Sequence, residues 1–133
     1  MERIIVWYLR MSVVYFLAGA VIGLSILIWP GDTDYYLPVH VHLNLLGFMS
    51  MMIYGVGYHI LPKFSGRQMY SPKIMKIQFW IANAGLLGMA AGWPLVATGD
   101  SVLSVDLLIA SGFLSLIAVA LFTVNILKTL KPV

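Results

Sequence analysis

The chain contains no cysteine and little charge: its 133 residues carry eight Lys and Arg and five Asp and Glu, 10% of the whole. Without thiols there are no disulfides, no thiolate metal sites and no covalent haem attachment through C-x-x-C-H, and the redox compartment is left open. Any metal must be held by histidine, methionine or oxygen. The few acids offer no paired intramembrane carboxylates for a proton relay, and there is neither a Ser/His/Asp set nor a phosphate-binding loop, so proton pumping is not expected. The basic residues stand in ones and twos at the edges of apolar runs, so the formal charge of +3 reads as a topology signal and not as a nucleic-acid surface.

What the chain does have is apolar sequence, at a hydrophobic fraction of 61% and a mean hydropathy of +0.94. Those values define an integral membrane protein whose main partner is the lipid bilayer. Four runs, roughly 4–29, 36–61, 76–98 and 102–127, are each long enough to supply the 20 or so helical residues needed to cross a hydrocarbon core. They lack the period-two alternation of barrel strands, which leaves an all-α, antiparallel up-down-up-down four-helix bundle as one transmembrane domain, residues 1–133. The first run is too long for a signal-peptide core and lacks a small-residue cleavage pattern. The eight basic residues then fall on one side, while Asp32, Asp34, Asp100 and Asp106 fall on the other. The positive-inside rule places both termini in the cytoplasm and starts the second helix at the outer face, with Pro38 in its first turn.

Small and polar residues predict how the spans meet. Gly19 and Gly23 in the first run, and Gly88 and Gly92 in the third, form G-x-x-x-G pairs that favour close helix packing. Gly47, Gly55 and Gly57 in the second run could serve the same end or let a flat cofactor lie against the backbone. Asn83 and Asn125 are explained by hydrogen bonds between helices.

All three histidines lie in one apolar segment, LPVHVHLNLLGFMSMMIYGVGYHILP, from Leu37 to Pro62. An ionisable group within a span points to function. His59, beside Pro62 and Lys63 at the inner interface, can reach water, and His40 has an interfacial reading too. His42 lies deeper and is the first choice as a metal ligand, with His40 second and His59 third. Residues two apart on a helix point about 200° from each other, so on a regular helix His40 and His42 do not share one metal, and only an irregular helix start would let them. His42 and His59, 17 residues apart, are separated by roughly 25 Å along a helix axis. A single chain therefore cannot supply ordinary bis-histidine ligation. The options are a haem with one protein axial ligand, a haem shared by the same histidine across a two-fold interface, or ligation completed by another subunit. A different reading is soft-metal binding or transport, in which Met49, Met51 and Met52 join His40 and His42 around copper. Those methionines, however, spread around the helix instead of forming a stripe.

The stretch HVHLNLLGFMSMMIYGVGYHILPKFSGR resembles the second transmembrane helix of haem-copper oxidase subunit I, above all in the cbb-type cytochrome c oxidases and the related nitric oxide reductases. In that family a histidine near the outer face is an axial ligand of the low-spin b-type haem. Carried onto this chain, H-x-N makes His42 the counterpart, with His40 second, and YHILP matches the inner end of the helix. The resemblance implies a haem b (protohaem IX) near the outer face, with Tyr35, Tyr36 and Asn44 as hydrogen-bonding partners for its propionates and Gly47 beside it. It also implies a bacterial or archaeal cytoplasmic membrane, a homo-oligomer with haem near the interface, and contact with other respiratory subunits. Family catalytic subunits have about twelve spans and a histidine cluster for the active-site metal. Three histidines in four spans make no such active site, so the expected roles are electron transfer or binding of haem or of NO, O₂ or CO. A non-catalytic small subunit of a respiratory complex is a further alternative.

Overall fold

The computed structural model describes residues 2–97, 99 and 101–130, Ser101 in its backbone only. Thr98, Asp100 and Lys131, which entered the expected boundaries and charge pattern, lie outside the described residues. The described residues form helices and short connections, with no strand among them. The first span is α1 (Arg3–Ile28). The second is one continuous helical path made of a 3₁₀ turn (Pro30–Asp32), α2 (Thr33–His42), a π-helical stretch (Leu43–Ser50) and α3 (Met51–Phe64). The third and fourth are α4 (Pro72–Ala97) and α5 (Ser101–Thr129). Four helices are long and apolar enough to cross a membrane, so the chain is a multi-pass membrane protein.

Two helix starts lie upstream of where hydropathy alone puts them, and local hydrogen bonds account for both. The second span is helical from Thr33, whose Oγ1 donates to the Pro30 carbonyl at 2.7 Å, so Pro38 lies inside α2 and not in its first turn. The third begins at Pro72. Ser71 is its N-cap, with Oγ accepting from the Ile74 N–H at 3.2 Å, and Pro72 occupies the first helical position, where its missing N–H costs nothing. Helix α3 ends in a Schellman turn: Arg67 N–H reaches the Pro62 carbonyl at 3.0 Å and Gly66 N–H the Lys63 carbonyl at 3.1 Å. Gly66 makes that turn at φ +63°, where a Cβ would be strained.

The buried faces are rich in small, polar and aromatic residues, with a few large aliphatic side chains such as Leu86 and Met75 among them, while most of the large aliphatic side chains face outward. On α1 the buried positions are Ile5, Tyr8, Ser12, Tyr15 and Gly19, spaced alternately three and four apart. On α5 they include Ser104, Ser111, Ala118 and Asn125, every seventh residue. This arrangement is the expected one where lipid tails are as apolar as leucine and helices associate through close backbone approach and hydrogen bonds. A Cβ on Gly85 would lie 2.6 Å from Ser115 Oγ, one on Gly88 would overlap Ser111 Oγ, and one on Gly92 would lie 2.7 Å from Leu108 Cδ2. These pairs run in opposite directions along α4 and α5, so the two helices pack antiparallel. The same holds between the first two spans, where Gly19 meets Asn44, Gly23 meets His40 and Gly55 meets Leu9.

Polar groups add directional ties. Tyr15 O–H donates to Asn83 Oδ1, and Asn83 Nδ2 returns to the Phe79 carbonyl of its own helix at 2.7 Å. Asn125 of α5 brackets Ser71, accepting from its N–H and donating to its carbonyl, both at 3.0 Å. Both asparagines thus make the interhelical bonds expected of them.

The α4–α5 contact yields a direct test. Gly88→Leu should lower the thermal midpoint in detergent by an amount equivalent to about 1–3 kcal/mol, the usual range for overpacking. Gly31→Ala, where an added Cβ meets nothing within 4 Å, should leave it unchanged.

Candidate functional site

The second span carries all three histidines, and its helical path sets where each imidazole points. Asn44 Nδ2 donates to the His40 carbonyl at 2.8 Å. That carbonyl is the acceptor an α-helical Asn44 N–H would use. With it engaged, the backbone slips into the π-helical register directly after His42.

His40 is half-buried and points across to α1. Its Nδ1 lies 2.7 Å from the Gly19 carbonyl. A carbonyl only accepts, so Nδ1 carries the proton and donates. The ring fills the space that Gly23 leaves open, since a Cβ on Gly23 would stand 2.8 Å from His40 Cε1. Asn44 fills the adjoining space at Gly19, where a Cβ would stand 2.6 Å from Asn44 Nδ2. The G-x-x-x-G pair of α1 is therefore a slot for a histidine and an asparagine.

His42, also half-buried, bonds only within its own helix: Nδ1 donates to the Pro38 carbonyl at 2.7 Å. The tautomer is again set by the carbonyl, which leaves Nε2 with its lone pair and, among the described residues, with no hydrogen-bond partner. A ring whose Nδ1–H is held by a backbone carbonyl is oriented to bind a metal through Nε2. His40 has the same tautomer, but its ring is bound into the contact with α1.

His59 is at the other end of the span. Lys63 Nζ lies 3.0 Å from His59 Nε2, and an ammonium only donates, so that nitrogen is an acceptor already in use. The three histidines do not converge, and no group of three or more His, Cys, Asp or Glu side chains able to hold a metal occurs among the described residues.

The other predicted residues divide by location. Gly47 is buried against α1 and α4, with a Cβ there falling 2.6 Å from Tyr15 Cβ and 3.0 Å from Leu86 Cδ2. Tyr35 is half-buried and Tyr36 exposed, one to two turns before His40. Tyr36 borders an apolar groove of ≈ 570 Å³ between the first three spans, lined also by Val39, Leu43, Ala90 and Pro94; neither His40 nor His42 lines it. Of the methionines, Met51 is fully buried in the core while Met49 is half exposed.

The histidine pattern gave no hint of a second polar cluster, at the opposite end of the bundle. Tyr8 O–H lies 2.9 Å from the Met75 carbonyl and 3.0 Å from Gln78 Oε1, and Tyr58 O–H donates to the same Gln78 oxygen. Gln78 is fully buried, and its Nε2 is unpartnered. The readable signal was a glutamine within an apolar run.

Comparison with known proteins supports the resemblance to haem-copper oxidase subunit I. The chain is 41% identical over 56 residues to the Cbb3-type cytochrome c oxidase subunit CcoN1 of Stutzerimonas stutzeri, a match covering 41% of this chain and 12% of that protein. It is 38% identical over 53 residues to a cytochrome c oxidase subunit 1 homolog of Agrobacterium tumefaciens (strain T37), covering 39% of this chain and 10% of that protein. Over 49 residues it is 37% identical to cytochrome c oxidase subunit 1 of Rhodobacter capsulatus, covering 36% of this chain and 9% of that protein. The chain thus spans about a tenth of the length of the curated relatives it matches. No protein-family model matches the chain. No solved structure matches it. The chain is a multi-pass membrane protein that resembles, over about two fifths of its length, a part of subunit I of bacterial haem-copper oxidases.

The His40 slot predicts a specific coupling. Gly23→Ala alone should destabilise the protein by about 1–2 kcal/mol, because its Cβ meets the imidazole. In a His40→Ala background the same change should be nearly neutral. A thermal-unfolding double-mutant cycle in detergent reads the difference as a coupling energy, and strict additivity would show that the ring does not occupy the slot.

Proposed function

We propose that this chain is a b-type haem-binding membrane protein of the subunit I-like kind, with His42 Nε2 as the protein's axial ligand to iron. The supporting observation is the tautomer: the Pro38 carbonyl fixes the proton on Nδ1 and leaves Nε2 as a free donor beside the π-helical stretch. Backbone-anchored imidazoles of this kind suit haem iron, and π-bulges recur at functional sites. Bound haem supplies one-electron redox chemistry, or a diatomic-gas site where one axial position is open.

The chain's own residues divide the remaining work. His40 and Asn44 lock the second span against α1 and so fix the azimuth of His42. Tyr35 and Tyr36 lie within one to two turns of the histidines, on the side expected to face outward, and offer hydroxyl donors for propionates. The second axial ligand does not come from the same chain, since His40 is bound to α1 and His59 to Lys63. Neither histidine lines the groove at that end of the bundle, so a macrocycle on His42 would be covered on its far side by another protein surface. A homo-oligomer in which His42 of a second copy approaches the same iron meets that requirement. By the positive-inside rule the basic ends are cytoplasmic, in the cytoplasmic membrane of a bacterium, with the haem towards the outer face. The role is electron transfer or gas binding, because the chain lacks the histidine cluster of a complete oxidase centre.

Absorption spectra of the detergent-purified chain, produced with ample haem, test this reading. A Soret band and a dithionite-reduced b-type spectrum are expected, lost in His42→Ala and retained in His59→Ala. A CO-induced shift would assign an open axial position, and its absence a six-coordinate iron. A colourless wild-type protein would contradict the reading and favour a non-catalytic subunit.

A further inference from the structure

The basic end of the bundle holds a pocket that the haem reading does not use. It has a volume of ≈ 400 Å³ and lies between the start of α1, the end of α3, the following loop and the start of α4. Its lining includes Ile5, His59, Lys63, Arg67 and Met75, with Glu2 as the one carboxylate. The geometry points to a binding site for the headgroup of an anionic phospholipid, with Lys63 and Arg67 as the charge partners of its phosphate.

Three features favour an anion. Lys63 spends one N–H on the His59 Nε2, and among the described residues it forms no ion pair with a carboxylate. Arg67 is exposed but its backbone is held: its N–H bonds the Pro62 carbonyl in the Schellman turn that closes α3. The pocket also reaches the N-terminus of α4, a helix of 26 residues, through Pro72 and Met75. That end carries the positive pole of the helix dipole. The two side-chain cations outnumber the single acid.

Other features favour a lipid over a free phosphate ion. Ile5, Pro62 and Met75 make part of the wall apolar, which contributes nothing to an inorganic anion but accommodates a glycerol backbone and the first methylenes of acyl chains. The pocket also lies where spans leave the hydrocarbon core, at headgroup depth. Basic pockets between helices at this level bind anionic headgroups, each cation contributing roughly a fivefold gain in affinity. The inference is independent of the haem reading and is tested without haem.

The full chain, in neutral detergent, is titrated with dioleoylphosphatidylglycerol, with dioleoylphosphatidylcholine or with inorganic phosphate, while the thermal midpoint is followed. The phosphatidylglycerol series should give a saturable rise that neither other series reproduces. Lys63→Gln and Arg67→Gln together should weaken the apparent phosphatidylglycerol affinity about thirtyfold. Lys128→Gln, a base outside the pocket that bonds Tyr70, should leave it within about twofold of wild type. If the double variant misfolds, Arg67→Gln alone, an exposed loop change, should still weaken binding about fivefold. Equal rises with phosphatidylcholine, a matching rise with inorganic phosphate, or undiminished affinity in the folded double or Arg67→Gln variant would each overturn the site.

Discussion

The structure depends on how helices find one another in a medium as apolar as their own surfaces. Lipid tails solvate leucine as well as a protein core does, so burying aliphatic side chains gives the spans little reason to associate. Association rests instead on backbones that approach closely at glycine and serine, and on polar groups that find partners only across the interface. That is why the interior of this bundle draws on Ser12, Gly19, Asn83, Gly85, Ser111 and Asn125, while most of its leucines and valines point outward.

The same constraint positions the candidate ligand. Gly19 and Gly23 open a slot in α1, and the His40 ring and Asn44 amide fill it. Those two contacts hold the second span in rotation and register against the first. With His40 turned toward α1, His42 points elsewhere, tethered only to Pro38 in its own helix. The π-helical stretch that follows changes the rotation of everything beyond it. Gly47 then meets Tyr15 and Leu86, and the tyrosine cluster of Tyr8, Tyr54 and Tyr58 gathers at the far end. One glycine pair thus separates a histidine packed into α1 from one whose Nε2 is left free.

Much of the fold was readable from hydropathy, because spans of about 20 apolar residues have few alternatives in a membrane. Their boundaries were less so: Ser71-Pro72 is a helix start by capping chemistry, but a hydropathy pattern places the start later, at Lys76. Which face of each span is buried was legible in principle from serine and glycine at heptad spacing, as in Ser104, Ser111 and Asn125. The division of labour between His40 and His42 was only half legible. Their two-residue spacing shows that they diverge, but not which of them meets Gly23, since that depends on the register between two spans. The π-helical stretch carried no local signal, and of the Gln78 cluster only the glutamine within an apolar run was visible, because its partners Tyr8 and Tyr58 lie far away in sequence.

What the chain lacks is as informative as what it holds. His42 has a free Nε2, while His40 is held against Gly19 of α1 and His59 against Lys63 at the other end of the span. The most direct test of the His42 assignment is chemical rescue at that position. A His42→Gly chain, produced with haem, should show no Soret band as purified and regain a b-type spectrum when imidazole is added. A Soret band of wild-type intensity in His42→Gly without imidazole would contradict the assignment.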